Sequence, residues 1–418
     1  MRLGRYLTLL RRNRAFARLF GAQLVSFAGD WFATVALLGL ALELTGSPSI
    51  AAGVLVVQTG AFALASPVAG VIADRYDRRR LMVVADLARV PVALAFLLAR
   101  SPDTLWIAFV AAAGLSLGAA IFEPTSSASL PNLVDDEDLA DANVLSGSTW
   151  GVMLAVGAAL GGIVAATLGR DVAFIVNAAS FALSAWLIVG IARPFARPRL
   201  APGEQGHLEH GRVGLRGIAD SIRVVVRFAR GNRLLAALLL SKTTFGVGTG
   251  VVVMLAIYGQ EVFDAGDAGI GILFAARGLG ALIGPFLVRS IVGFSERGLI
   301  LGIAGSFAAF AVCYGLLPFA PTLLIAAVAV FGGHLGGGAQ WTLSSYGLQR
   351  AAPDAIRGRV FSFDYGLVTL MITLSTLAAG LLAERLTPAG TTWIIVGAAA
   401  VAATGWIVFS APVWRRRG

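Results

Sequence analysis

The residues of this chain that could do chemistry are a few ionisable side chains within long apolar stretches. Asp30, Arg89, Lys242 and Arg277 lie deep inside such stretches, and Glu123 lies closer to the end of one. A charged side chain at the centre of a bilayer costs about 2.5–3.5 kcal/mol on insertion scales. Charges retained at that cost are candidates for a functional role.

The two acids are the candidates for proton coupling. Burial makes a carboxyl group bind a proton more readily, whereas a nearby cation favours its charged form, so a substrate or an arginine can change its protonation. Asp30 is the first candidate and Glu123 the second. For Asp30, the alternative is a fixed ion pair with Arg89. For Glu123, the alternative is a gating or packing role. Asp86 and Arg89 are spaced i, i+3 and can pair on one helix face.

The candidates for contact with a substrate are basic, amide and aromatic side chains. Lys242 and Arg277 would place two cations on the second half of the chain, which suits an anionic or zwitterionic substrate or compensates acids of the first half. Amide and indole donors orient a ligand in an apolar pocket, although each could equally pack between helices. The full set is Gln23, Gln58, Arg89, Lys242, Arg277, Gln340 and Trp341, with Asn177, Trp150 and Tyr258 as further lining residues.

The composition places these residues in a membrane protein. Of 418 residues, 57% are hydrophobic and 13% charged, too few polar residues to cover a soluble globule. The net charge of +10 is spread over short segments between apolar stretches, so no nucleic-acid partner is expected. His207 and His210 have no cysteine or carboxylate cage around them, and no metal site is expected.

Twelve apolar stretches are long enough to cross a bilayer, which requires about 20 residues per helix. They run over 17–43, 49–73, 80–100, 104–128, 144–168, 172–192, 233–258, 267–292, 298–318, 321–346, 361–384 and 390–412. The predicted fold class is therefore an all-α membrane protein with twelve transmembrane helices.

The arginines predict the orientation of these spans. Nearly all of them fall before span 1, after the even-numbered spans or at the C-terminus, whereas only Arg100, Arg170 and Arg385 fall in the other connections. Cytoplasmic loops carry the excess of basic residues. Both termini are therefore expected in the cytoplasm, and the chain in the cytoplasmic (inner) membrane as a multi-pass protein.

The two sets of six spans repeat one another at an offset of about 219 residues. We expect an N-terminal six-helix bundle over 1–192, a cytoplasmic linker with a basic amphipathic helix over 193–232, and a C-terminal bundle over 233–418. Parallel repeats of this kind enclose a central cavity. The matched residues are Asn13 with Asn232, Arg14 with Arg233, Gly53 with Gly271 and Pro67 with Pro285.

The segment between spans 2 and 3, Gly70 to Arg80, reads as a tight turn at the membrane surface. Gly70 would allow two helix backbones to approach closely. Asp74 could face the N-terminus of a neighbouring helix, where a carboxylate meets the positive end of the helix dipole. The alternative is that the turn only sets topology.

Taken together, the twelve spans, the repeat, the basic central loop and this turn resemble the major facilitator superfamily over essentially the whole chain. Members place Gly, Asp and bases at the positions of Gly70, Asp74, Arg75, Arg78 and Arg79, whereas Asp77 replaces the second Gly. The stretches 124–143 and 353–360 are similar to the branch of macrolide, multidrug and enterobactin exporters. The run 157–162 is similar to the antiporter motif of the superfamily, with Ala158 in place of its Pro.

The resemblance implies two parallel six-helix bundles, a major facilitator fold, and a conformational latch at the turn. It places the start of span 11 next to Asp74, and Asp364 then becomes the expected acidic partner of Arg75 or Arg79.

The predicted function is secondary active transport. No phosphate-binding loop of the Walker type is present, so ATP is not the expected energy source. The resemblance to the exporter branch and to the antiporter motif implies proton-coupled export of an amphipathic small molecule, a drug or a siderophore, by alternating access. A monomer without cofactors is expected. The alternatives are uptake of a metabolite, a membrane-bound enzyme acting on lipid or cell-wall precursors, and a receptor. An enzyme is disfavoured because no nucleophile, base and orienting group occur together in a loop.

Overall fold

The protein is described by a computed structural model at residues 3–135, 137–192, 215–292, 295–352 and 354–414. This part of the chain is helical and contains no strand. Most of the predicted linker, over 193–214, lies outside it. The helices are α1 Leu3–Arg12, α2 Arg14–Thr45, α3 Pro48–Arg75, α4 Arg78–Leu94, α5 Leu105–Leu133, α6 Leu139–Leu168, α7 Arg170–Val189, α8 Leu215–Gly231, α9 Arg233–Gly248, α10 Val251–Ile257, α11 Gly266–Val292, α12 Glu296–Leu316, α13 Leu323–Ala351, α14 Asp354–Ala383 and α15 Pro388–Trp414.

Within the described residues, twelve helices are long and apolar enough to cross a membrane, which confirms the predicted fold class. Span 7 has an internal break, since α9 and α10 meet at Thr249 and Gly250 within a single span, Arg233–Val262. Here Ser375 of α14 accepts a hydrogen bond from the Gly250 backbone N–H at 2.9 Å and donates one to the Val247 carbonyl at 2.5 Å. A side chain at position 250 would collide with the Ser375 backbone, so Gly250 permits this contact.

The turn between α3 and α4 is shorter than predicted. Helix α3 continues to Arg75, because the Tyr76 N–H still donates to the Ile72 carbonyl in helical fashion. Asp77 then caps α4, its carboxylate accepting the Arg80 N–H at 2.8 Å. The prediction of a turn over the whole of Gly70 to Arg80 was wrong, and only Tyr76 and Asp77 separate the two helices.

Two short helices, α1 and α8, precede the first spans of the two halves, and the repeated asparagines separate them from those spans. Asn13 accepts the Phe16 N–H at 3.0 Å at the start of α2, and Asn232 accepts the Leu235 N–H at 3.0 Å at the start of α9. An asparagine at this position satisfies an N–H that the helix leaves free. The repeat seen in the sequence therefore corresponds to matching helix starts.

We call α2–α7 the first bundle and α9–α15 the second bundle. They meet where α6 packs on α11 and α3 on α14. The contacts are made by small residues: Gly162 lies against Gly271, Gly278 against Ala155, and a Cβ atom at any of these glycines would collide with the facing backbone. Small residues allow membrane helices to approach closely. One side of the glycine-rich run over 157–162, with Ala158 and Gly162, thus lies at the interface of the bundles, whereas Gly157 and Gly161 face α2 within the first bundle.

Polar contacts join the bundles at one end, which we call the closed end. Arg170 of α7 donates to Asp267 of α11 through Nε at 2.8 Å and Nη2 at 3.2 Å, and to Glu43 through Nη1 at 2.6 Å. We call the opposite end, where α3 passes to α4, the far end.

A second contact at the closed end joins Glu384, which follows α14, to the start of α3. The Ser49 hydroxyl donates to the Glu384 carboxylate at 2.8 Å, and the Ser47 hydroxyl donates to the same oxygen at 2.5 Å. These bonds, with the one from Ser47 first, lower the pKa of Glu384. The contact is therefore present at neutral pH and is lost only as the pH falls through that lowered pKa.

We expect Asp267→Asn to favour separation of the bundles at the closed end. The change removes the charge from a bidentate pair, and hydrogen bonds to charged groups contribute about 1.5–3 kcal/mol. The separated fraction should rise about tenfold or more. Spin labels on cysteines at Leu168 and Leu386, both exposed and on different bundles, in a Cys313→Ser background, would report longer distances.

Arg100→Gln is the matched control for this prediction. It breaks the exposed Arg100–Asp171 pair, with N–O distances of 2.8 Å, which lies within the first bundle. The distance distribution should stay that of the parent. Equal distributions for Asp267→Asn and Arg100→Gln would contradict a role of the cross-bundle pair in closure.

Candidate transport site

The first bundle holds a charged cluster centred on Arg89 of α4. Its guanidinium pairs with Asp86 one turn earlier and approaches Asp30 of α2, with 3.8 Å between Nη1 and Oδ2. Arg89 and Asp86 are buried, whereas the Asp30 side chain keeps 30% of its surface exposed. The i, i+3 pair expected from the sequence is present, and Asp30 is its looser third member.

Aromatic rings complete the surroundings of Arg89. Its Cζ atom lies 4.2 Å from the centroid of Phe181 and 5.3 Å from that of Phe122. A guanidinium over an aromatic face is stabilised electrostatically, more so when it is desolvated. Gly118 makes room for the stem, since a Cβ there would lie 2.6 Å from the Arg89 side chain. The cation is thus fixed in place by packing as well as by charge.

The remaining candidates of the first half lie in the same bundle. Glu123 of α5 is within electrostatic range of Asp30 and Arg89. Gln23 of α2 donates to Ser126 at 2.9 Å. The structure therefore brings both proposed proton carriers together around one arginine.

Two further candidates take different positions. Gln58 of α3 donates to Thr34 of α2 at 3.4 Å, and the next residue, Thr59, meets Thr373 of α14 at 3.3 Å across the two bundles. Gln58 is therefore close to the bundle interface. Asn177 is buried within the first bundle, and the side chain of Trp150 lies outside the described residues.

The second bundle contains a second charged pair. Lys242 of α9 donates to Asp364 of α14 at 2.5 Å, and both side chains are buried, with 1% and 0% of their surface exposed. Asp364 lies about 15 Å along α14 from its first residue, at 1.5 Å per residue. Its carboxylate pairs with Lys242 in this structure.

In this structure Arg79 and Asp364 have other partners, and the latch between Asp364 and Arg75 or Arg79 stays a prediction for the state in which the cytoplasmic side is closed. Arg79 donates to the backbone carbonyl of Val189 at the end of α7, and Asp364 pairs with Lys242. The side chains of Gly70, Asp74 and Arg75 lie outside the described residues.

Three aromatic rings surround the Lys242 ammonium. Its Nζ atom lies 4.8 Å from the centroid of Trp341, 5.4 Å from that of Tyr365 and 5.9 Å from that of Phe361. Trp341 and Tyr365 meet edge to face, with centroids 5.9 Å apart. Sequence reasoning identified Trp341 but missed the other two rings. Their spacing of four residues, which puts them on one helix face beside Asp364, was the available signal.

Arg277 belongs to a separate polar chain in the second bundle. Its Nε atom donates to His334 Nε2 at 3.1 Å, and His334 Nδ1 lies 2.8 Å from the Tyr314 hydroxyl. Because Nε2 accepts, the proton of the neutral ring is on Nδ1, which can donate to Tyr314. Gln340 Nε2 lies 3.2 Å from Ser241 Oγ, and Tyr258 is buried, 3.4 Å from the Thr392 hydroxyl. Lys242 and Arg277 thus lie in two different networks.

The fold and these clusters define a multi-pass membrane transporter. Two bundles of spanning helices, held together at one end, each enclose a small set of buried charges. The chain belongs to the Major Facilitator Superfamily, whose family model matches residues 19–367.

Relatives of this chain include transporters of known and unknown cargo. It is 26% identical to the uncharacterized MFS-type transporter YfiS of Bacillus subtilis, over 90% of this chain and 88% of that one. It is 24% identical to the putative bacilysin exporter BacE of the same species, over 87% of each chain. Identity to the enterobactin exporter EntS of Citrobacter koseri is 26%, over 85% of this chain and 82% of that one.

Solved structures share the fold. A POT family transporter in complex with 5-aminolevulinic acid has a TM-score of 0.76 at 14% identity, covering 96% of this chain and 97% of that one. A bacterial homologue of the iron transporter ferroportin in the inward-facing state has a TM-score of 0.69 at 18% identity, covering 95% and 99%. At these identities the likeness concerns the fold alone.

We expect Arg89→Met to destabilise the first bundle strongly. The substitution keeps an apolar stem but leaves Asp86 buried without its cation, and removal of one partner of a buried pair costs about 3–5 kcal/mol. The melting temperature of the purified protein in detergent should fall clearly. Adding Asp86→Asn should restore part of the loss, because the orphaned charge is gone. If Arg89→Met alone has the same melting temperature as the wild type, the pairing of Arg89 with Asp86 is contradicted.

Proposed function

We propose that this transporter exports amphipathic small molecules across the cytoplasmic membrane in exchange for protons. The observation that carries the proposal is the unequal pairing of Arg89. One of its nitrogens bonds to buried Asp86, whereas Asp30 stays 3.8 Å away and 30% exposed. Asp30 is therefore close to a fixed cation, while part of its own side chain remains accessible.

This arrangement suits a carboxylate that exchanges ligands. Because Asp86 already neutralises Arg89, Asp30 and Glu123 are acids in excess of the available cation in this cluster. A proton or a cationic group of a substrate can bind Asp30, and binding of one disfavours the other. Glu123, within electrostatic range of Asp30, is the second carrier. Arg89 sets the balance by stabilising the charged form of both acids.

Two observations support the proposed direction of transport and the side of the membrane on which the bundles are open. The arginine distribution supports a cytoplasmic location of the far end and of both termini, in which case the bundles would meet at the outer face. The names of two relatives describe export, of bacilysin and of enterobactin. We therefore propose that substrate enters from the cytoplasm between the two bundles and leaves after they separate at the closed end.

The moving units would be the predicted bundles over 1–192 and 233–418, acting within one monomer and without a cofactor. At the far end Gly70, Asp74, Arg75, Arg78 and Arg79 would hold the bundles together when that end closes. The cargo would contact Gln23 and Gln58 on the first bundle and Lys242, Arg277, Gln340 and Trp341 on the second. Its amphipathic character follows from these few polar groups among apolar helices.

We expect Asp30→Asn to uncouple transport from the proton gradient. Proteoliposomes with an imposed pH gradient and an internal pH-sensitive dye would be given ethidium, a macrolide or enterobactin. The wild type should move at least one of these uphill while protons flow the other way. The variant should lose gradient-driven movement by about tenfold or more but keep substrate exchange without a gradient, because the asparagine cannot carry a proton.

Asp103→Asn is the control, since it removes an exposed acid in the connection before α5. It should transport like the wild type. Equal proton-coupled transport by Asp30→Asn and Asp103→Asn would refute Asp30 as the carrier. Uphill movement in the same direction as the protons would point to uptake instead.

A further inference from the structure

The charged pair of the second bundle resembles a ligand site that is already filled. Lys242 supplies an ammonium, Asp364 the counter-ion and Trp341, Tyr365 and Phe361 the surrounding rings, at 4.8–5.9 Å from Nζ to the ring centroids. Aromatic faces around a cation, together with one carboxylate, are the chemistry that recognises organic ammonium ions. Here the ammonium comes from the protein itself.

Asp364 has binding capacity that Lys242 does not use. Its Oδ2 accepts a hydrogen bond from the Lys242 ammonium, while Oδ1 is buried and has no hydrogen-bond partner within the described residues. A buried carboxylate oxygen left unpaired is costly. The carboxylate can therefore take a second donor or exchange the first for another cation.

One ring beside this pair, that of Tyr365, is exposed. Tyr365 is 52% exposed and lies within electrostatic range of both Asp364 and Glu123, the latter on the first bundle. An exposed ring that lies next to the buried pair is therefore also close to an acid of the first bundle. Movement of this one side chain, with Trp341 beside it, would open the site.

We propose that Asp364, Trp341 and Tyr365 form a binding site for organic cations, in which Lys242 is a built-in competitor that loses its proton when the ligand displaces it. This inference rests on the proposed function, since it names a substrate class and a second proton-exchanging group. A lysine ammonium that loses its counter-ion in a buried site is costly, and the lysine resolves the cost by deprotonation.

The exchange balances in charge and in protons. Before binding, the site holds one ammonium and one carboxylate and is neutral. Afterwards it holds the ligand cation, the carboxylate and a neutral amine, and is again neutral. The one covalent change is loss of an N–H proton from Lys242 to water, and ligand release reverses it. One cation is thus exchanged for one proton, as an exporter driven by entering protons requires.

The other charges near Lys242 do not replace this exchange. Its Nζ pairs with Asp364 and lies within 6 Å of the centroids of the three rings. Helix α15, which packs on α9, has no ionisable residue. The remaining ionisable side chains on the described parts of helices packed against α9 are Arg223, Arg227 and Arg230 on α8, Glu296, Arg297, Cys313 and Tyr314 on α12, His334, Tyr346 and Arg350 on α13, and Tyr365 on α14.

An anionic ligand would give the opposite proton signal. It would bind Lys242 and lie beside the Asp364 carboxylate, and like charges at that distance force one group to take up a proton. The sign of the proton exchange therefore separates the two classes of substrate.

The test uses the purified full-length protein in weakly buffered detergent with a pH indicator. Tetraphenylphosphonium is the probe, because its charge is permanent and it carries no titratable proton. We expect the wild type to release protons on binding it, and to bind it more weakly as the pH falls. Lys242→Arg, whose guanidinium keeps its proton, should bind it about tenfold or more weakly and release one proton fewer per bound probe than the wild type. Asp364→Asn should bind it about tenfold or more weakly.

The double variant Lys242→Gln, Asp364→Asn keeps the site neutral and serves if a single variant fails to fold. It should melt near the wild type, bind the probe as weakly as Asp364→Asn, and release no proton. Proton release by Lys242→Arg equal to that of the wild type would overturn the inference. The inference would also be overturned if the wild type binds the anionic probe tetraphenylborate more tightly than tetraphenylphosphonium and takes up protons as it does so.

Asp30→Asn separates this inference from the proposed function. It should still show Lys242-dependent proton release in detergent, because the two clusters lie in different bundles. Coupled transport that depends on Asp30 but not on Lys242 would leave the exporter proposal standing and remove this one. Lys242-dependent proton release in detergent without any coupled transport in proteoliposomes would support this inference and remove the exporter proposal.

Discussion

The cost of burying charge in apolar helices determines how this protein is built. Each buried cation for which the structure gives an ion pair is neutralised inside its own bundle: Arg89 by Asp86 and Asp30, and Lys242 by Asp364. An unpaired charge at these depths would cost several kcal/mol. Because neither pair needs the other bundle, the two bundles can separate without exposing an uncompensated charge. The charges that tie the bundles together lie at the closed end instead, close to water.

The closed end combines two kinds of contact. Facing glycines such as Gly162 and Gly271 allow the helix backbones to pack closely, and few hydrogen bonds are lost when these helices separate. The polar contacts of Arg170 and Glu384 lie at helix ends, and hydrogen bonds to charged groups of this kind contribute about 1.5–3 kcal/mol each. Such an interface is stable enough to close one side yet reversible. The first and second bundles can therefore move largely as units, as alternation between two states demands.

Much of this architecture could be predicted from the sequence, because length and polarity alone decide where a helix can cross a bilayer. The twelve spans, the repeated helix starts at Asn13 and Asn232, and the pairing of Asp86 with Arg89 all follow from local spacing. The partner of Asp364 could not be predicted in this way. In a helix that is apolar all round, no polar face reveals which side meets which neighbour, so both the Lys242 pair and the ring of Tyr365 beside it depend on helix rotations. The α3–α4 turn was misjudged because Asp77, read as a departure from a family pattern, acts as a helix cap.

The central claim is that the charged groups beside the bundle interface are reached from one side of the membrane at a time. Gln58→Cys in a Cys313→Ser background tests it most directly, using a membrane-impermeant thiol reagent on right-side-out and inside-out vesicles. The account predicts reaction from the cytoplasmic side without a proton gradient, and a shift toward reaction from the outer side when substrate and a gradient are supplied. Equal reaction from both sides under each condition, or reaction from the outer side alone in the resting protein, would contradict it.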